Sequence, residues 1–154
     1  MSYVQSVLQQ GEEIRYTAKL HWIEYFWGLF LLLLAIVLYV FAQSLNHPTG
    51  ARIGGIVAAA MGLIGLAVLA YEWFEIWTTE IAVTNRRIIY KEGFIRRKTI
   101  EMHMDKVESV DVEQSILGRL LDFGQVDVRG IGTGFEPLKK VAAPLELRNH
   151  ITGV

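Results

Sequence analysis

The chain has 154 residues, 15 Lys and Arg against 16 Asp and Glu, no Cys, and 52% hydrophobic residues at a mean hydropathy of +0.31. A formal net charge of −1 argues against nucleic acid as a partner, because phosphate-binding chains are as a rule strongly basic. Without Cys, disulfide scaffolds, thiolate metal sites and thiol nucleophiles are excluded.

Ser2 to Gln10 places Val4, Val7 and Leu8 at helical spacing, and Gly11 supplies a stop. Ile14, Tyr16, Ala18 and Leu20 then alternate with Glu13, Arg15, Thr17 and Lys19, the pattern of a half-buried strand. A single strand is not stable by itself, so this one is expected to complete a sheet formed later in the chain. Next come two charge-free runs, the 18 residues Tyr25–Ala42 and the 19 residues Ile53–Tyr71. At about 1.5 Å per residue each reaches about 27 Å, close to the hydrocarbon thickness of about 30 Å. A charge at mid-bilayer costs about 2.5–3.5 kcal/mol, which gives a physical reason for two clean runs. Glu12, Glu13 and Glu24 ahead of the first run, and its length, speak against a cleaved leader.

Between the runs, Gln43 to Arg52 holds the turn formers Asn46, Pro48 and Gly50 and reads as a hairpin loop. Arg15 and Lys19 lie before the first run and Arg86, Arg87 and Lys91 beyond the second, which favours both termini in the cytoplasm. The four Trp residues, Trp22, Trp27, Trp73 and Trp77, flank the ends that would share one membrane interface and are read as its aromatic belt. Gly54, Ala58 and Gly62 recur every four residues, as do Ala51, Gly55 and Ala59, and such rows let helix backbones approach closely. Such rows serve either packing within the hairpin or contact between copies.

Beyond Tyr71 strand patterns follow one another. Trp77 to Thr84 alternates, Asn85-Arg86 and Glu92-Gly93 make turns around Arg87 to Lys91, and Phe94 to Met104 is the next strand. Val110 and Val112 oppose Asp111 and Glu113, and Ile116, Leu117, Leu120 and Leu121 then form a short helix capped by Ser115 and ended by Gly124. Val126 and Val128 resume the strand period, Gly130 to Gly134 is a turn, Leu138 to Ala142 is a last strand, and Pro144 opens a closing helix carrying Leu147 and Ile151. The expected division is 1–24, a cytoplasmic helix and strand; 25–71, the helical hairpin; and 72–154, an antiparallel sheet domain with a terminal helix.

Ala82-Val83-Thr84-Asn85-Arg86-Arg87-Ile88-Ile89, Gly93, Lys106 to Val112, and Leu117-Gly118-Arg119-Leu120-Leu121 before Phe123-Gly124 resemble the bacterial pleckstrin-homology-like (PH-like) domain in its membrane-anchored form. Gly11-Glu12-Glu13 and His21-Trp22 are similar to the entry segment of such proteins. The resemblance implies an α+β membrane protein: a two-helix transmembrane hairpin plus an antiparallel PH-like sheet or open barrel with a C-terminal helix. It implies a multi-pass protein of the bacterial inner membrane and a binding platform more than an enzyme.

No catalytic constellation stands out. His21, His47, His103 and His150 show no metal-binding spacing, Gly130 to Gly134 lacks the Lys-Ser/Thr ending of a phosphate loop, and no Gly-x-Ser-x-Gly elbow is present. No catalytic residue, metal ligand or cofactor is therefore expected. Charge is more telling: Arg86, Arg87, Lys91, Arg96, Arg97 and Lys98 against Glu92 give that stretch a net +5, while the rest of residues 72–154 sum to −6. Arg86, Arg87, Arg96, Arg97 and Lys98 are thus candidate contacts to an anionic lipid headgroup or acidic partner. The reading is a non-enzymatic membrane-anchored scaffolding module whose partners are membrane lipids and either further copies of itself or another envelope protein. A lipid-headgroup sensor is its alternative.

Overall fold

The alternating segment ahead of the first apolar run forms strand β1 (Ile14–Ala18) and finds its edge beyond the second run, against β2 (Glu80–Thr84). The computed structural model describes residues 3–45, 47–93, 97–131, 133–134 and 137–153. It divides into two units, one made of Met1–His21 with Glu75–Val154 and the other of Trp22–Phe74. The first unit is therefore discontinuous in sequence.

In that unit, helix α1 (Tyr3–Val7) precedes β1, and β1, β2, β3 (Arg87–Glu92) and β4 (Lys98–His103) form a four-stranded antiparallel sheet in that order. A second sheet has β6 (Phe123–Gly130) at its centre, paired with β5 (Val107–Glu113), β7 (Thr133–Gly134) and β8 (Leu138–Ala142). Leu20, just past β1, bridges to Val141, so one N-terminal segment ties both sheets together. The period-two alternation sends Ile81, Val83 and Ile88 of the first sheet and Val126, Val128, Leu138 and Val141 of the second into one core. Leu147 and Ile151 of the C-terminal helix join this core. The opposite face of the first sheet is covered too, by Val4 of α1 on Ala82 and Ile89. Residues Ile81–Thr84 are consequently all buried, because β2 has cover on both faces.

The second unit holds α2 (Phe26–Ser44) and most of α3 (Pro48–Thr78), both long and apolar enough to cross a membrane. They run antiparallel: a Cβ on Gly28 would stand 2.5 Å from Leu69, one on Gly65 would stand 3.2 Å from Leu32, and one on Gly54 would collide with Ala42. Glycine is required at Gly28 and Gly54 for this close approach.

Several local expectations change. The loop expected over Gln43–Arg52 is shorter, since Pro48 starts α3 directly, a position where a missing N–H costs nothing. Trp77 to Thr79 do not begin the strand: no Gly or Pro interrupts Glu72 to Trp77, so α3 runs to Thr78, and β2 starts at Glu80. The short helix α4 (Ile116–Leu121) is capped by Ser115 Oγ, which accepts from the Gly118 N–H at 3.0 Å, but Asp122 in the left-handed region ends it in place of Gly124. Gly124 lies in β6, where a Cβ would sit 2.7 Å from the Glu113 carbonyl oxygen. Of the expected strand from Phe94 to Met104, β4 covers Lys98–His103, and positions 94–96 lie outside the described residues.

Candidate functional site

Strand geometry sorts the basic stretch. In β3, Arg87, Ile89 and Lys91 share a face with α1, while Ile88 and Tyr90 face the core. Arg87 is buried and lies against Glu12: its Nε donates to Glu12 Oε1 and its Nη2 to Glu12 Oε2, both at 2.9 Å. Nη1 donates to Glu101 Oε2 at 2.7 Å and Nη2 also to the Val7 carbonyl at 2.8 Å. Glu12 additionally accepts from the Gln9 N–H at 2.9 Å and the Thr84 hydroxyl at 2.8 Å. Burial alone would raise the Glu12 carboxyl. The hydrogen bonds from Gln9, Arg87 and Thr84, with the Arg87 charge, outweigh it and hold the group below the usual carboxylate range.

A second anchor sits at the other end of α1. Both Glu80 carboxylate oxygens accept from α1, from the Tyr3 and Val4 N–H groups at 3.1 Å each, and Lys91 Nζ pairs with Glu80 at 3.5 Å. Lys91 and Arg97 also stand 5.7 and 5.9 Å from the Tyr3 ring centre, a cation–π arrangement. Arg87 and Lys91 thus fasten the N-terminal segment to the sheet. Arg86, Arg97 and Lys98 remain exposed at the surface, and Arg96 lies outside the described residues. The charge count could not separate these two groups. The signal that could is the strand period, which puts Arg87 on the same face as Ile89, together with the acid at Glu12.

In the second unit, Gly54, Ala58 and Gly62 pack toward α2 of the same chain. Ala58 is buried, Gly54 meets Ala42, and Gly62 approaches Ala35. Gly55 of the other small-residue row faces open space, beside an apolar notch of about 290 Å³ lined by Leu32, Ile36 and Tyr39 of α2 and by both rows of α3, Gly55 and Ala59 with Ala58 and Gly62. Trp27 in the first turn of α2 and Trp73 near the end of α3 flank the Gly28–Leu69 contact, with Trp77 one turn further along α3, and all four Trp side chains are largely exposed.

Among protein families, the model of the bacterial PH domain matches residues 18–153. Searches of curated proteins and of solved structures returned no match.

Proposed function

The chain belongs to the bacterial PH domain family, a family of binding modules, and on that premise we propose that it is a non-enzymatic scaffold anchored by its helical hairpin in the bacterial inner membrane. The observation that carries the membrane assignment is the outer surface of the hairpin. Leu33, Val37, Val40, Ile56, Leu63 and Leu66 are all more than half exposed, an apolar surface that water would not tolerate on a monomer. Both termini lie on the cytoplasmic side, where the sheet unit meets its protein partners. Single cysteines test this cleanly, since the chain has none. A membrane-impermeant maleimide is expected to label Ser44→Cys in intact cells and Ile14→Cys only after the membrane is opened. The reverse pattern would refute the orientation, and release of the protein from membranes by alkaline carbonate would refute the anchoring.

Copies of the chain meet, in this reading, along the row Ala51, Gly55 and Ala59, supported by the open space at Gly55 and the notch beside it. The two neighbouring glycines then separate two roles. Gly54→Leu is expected to lower hairpin stability by about 1–3 kcal/mol through overpacking, read as a drop in Tm in detergent. Gly55→Leu is expected to leave Tm unchanged and to reduce the dimer seen by native mass spectrometry. Equal dimer content in wild type and Gly55→Leu would remove this contact from the proposal.

A further inference from the structure

The β5–β6 connection of the sheet unit carries an apolar tip with no cover among the described residues. Ile116, Leu117 and Leu120 of α4 are 89%, 64% and 78% exposed and, at spacing i, i+1, i+4, share one helix face. The tip is a built feature. Besides the Ser115 cap, Gln114 Nε2 donates to the Phe123 carbonyl at 3.2 Å, and a Cβ on Gly118 would stand 2.6 Å from that same oxygen.

Beside the tip opens a cleft of about 660 Å³, lined by Arg119, Phe123, Lys139, Lys140, Gln125 and Glu113. Its lining thus carries three cations and one carboxylate. In a regular strand Lys139 and Lys140 would point to opposite faces of the sheet. Lys140 instead has φ of 50°, a left-handed conformation that costs an L-residue about 1–2 kcal/mol. The β6–β8 pairing is irregular between Gly124 and Val126, and both lysines line the cleft. The conformation is held from the N-terminal segment: the His21 N–H donates to the Lys140 carbonyl at 2.7 Å, and the His21 ring stacks on Phe123 at 5.1 Å. A strained lysine where glycine would be easier is the kind of outlier that marks a ligand clamp.

We propose that this cleft binds the headgroup of an anionic phospholipid while the Ile116, Leu117 and Leu120 face of α4 seats among the acyl chains of the same leaflet. The proposal rests on the membrane reading above. Three exposed side chains are too few for a stable protein interface, which needs about 1,000 Å² or more. An apolar face rimmed by Arg and Lys matches the leaflet boundary, where each cation adds to attraction for anionic lipid. Tethering by the hairpin makes even a weak lipid contact effective. The residues are distinct from Arg86, Arg97 and Lys98.

The test uses the full chain in vesicles of phosphatidylcholine alone or with phosphatidylglycerol. A fluorophore on Leu117→Cys is read by quenching from brominated acyl chains, with the exposed Val40→Cys of α2 as the hairpin reference. Val40 is expected to be quenched in both compositions, and Leu117 strongly only with the anionic lipid. Neutralising Arg119, Lys139 and Lys140 to Gln should weaken Leu117 engagement about fivefold per cation, whereas Arg86→Gln with Arg97→Gln should not. Lys140→Gly, which relieves the backbone, should raise Tm and still lower engagement, a combination that a purely structural lysine would not give. Leu117 unquenched while Val40 is quenched overturns this proposal alone. Val40 unquenched overturns the membrane reading with it. A Leu117 signal shielded from water but insensitive to bromination assigns the tip to a protein partner, and loss of the anionic preference on adding inorganic phosphate at matched ionic strength assigns the cleft to the free ion. Either result also overturns the proposal.

Discussion

Replacing Arg87 by Ala is expected to destabilise the sheet unit by about 3–5 kcal/mol, because it strands the Glu12 carboxylate in a site where its side chain has no exposed surface. The same substitution removes the donor to the Val7 carbonyl and one partner of Glu101, so the end of α1 loosens with it. Hydrogen exchange localises the effect: amides of β2 and β3 should lose protection, while those of α2 and α3 keep theirs. Arg87→Lys restores the charge without the two-pronged geometry and should recover only part of the loss. The double replacement Glu12→Leu with Arg87→Met removes both charges together and should be far milder than either single change. If Arg87→Ala leaves β3 protection intact and instead weakens attachment to anionic vesicles, the residue belongs to a binding surface.

The pH dependence follows from the same pair. Glu12 titrates below the usual carboxylate range in the folded state, so its stabilisation is fully present above its unfolded value and is lost as pH falls through the depressed folded value. Acid should therefore release α1, and Glu12→Gln should be less stable at neutral pH and less sensitive to acid. Persistence of the full acid sensitivity in Glu12→Gln would move its origin to another carboxylate.

Period and length carried most of the architecture in the sequence. The strand behind Glu13, the last strand Leu138–Ala142, and the closing helix behind Pro144 were legible from their apolar faces, although Ile14, expected on the buried face of its strand, is exposed beside a register shift between Ile14 and Tyr16. The end of α3 was not, because Trp77-Thr78-Thr79 suits a strand by composition while backbone hydrogen bonding continues the helix from Glu75. The basic stretch was half legible. Its charge excess is a sequence property, but which side chains reach solvent depends on a covering helix and an acid more than 70 positions away, and no local window contains Glu12 and Arg87 together. The turn read over Gly130–Gly134 is in part strand β7, drawn in by pairing with Arg129 and Gly130 of β6. The helix at α4 was legible from the spacing of its apolar residues, but their exposure was not. Periodicity reports that a face is apolar and not what covers it.

A fragment of residues 75–154 alone is expected to be aggregated or without cooperative unfolding, and joining residues 1–21 to it through a short Gly/Ser linker in place of the hairpin should restore a cooperative transition. Without the N-terminal segment, β2 becomes an edge strand whose Ala82 and Ile89 neighbourhood loses its cover, and Arg87 loses Glu12. Val4 contributes about 1.5–3 kcal/mol by burial, and Arg87 loses its bonds to Glu12 and Val7 while keeping Glu101. Against a domain stability of about 5–15 kcal/mol, these are substantial losses before β1 itself is counted. Strand β1 adds the Ile14-to-Thr84 ladder, and Leu20 adds its bridge to Val141. The linked fragment should recover native-like protection in β2 and β3, and Glu12→Ala within it should abolish the rescue, since the segment then lacks its buried anchor. A 75–154 fragment that is monomeric, cooperatively folded and as stable as the linked form would show that the sheet stands by itself. If the fragment fails and the linked form folds, the hairpin is an insertion within one folding unit. The first sheet can then close only after both apolar helices have been made, which couples folding of the sheet unit to synthesis of the hairpin.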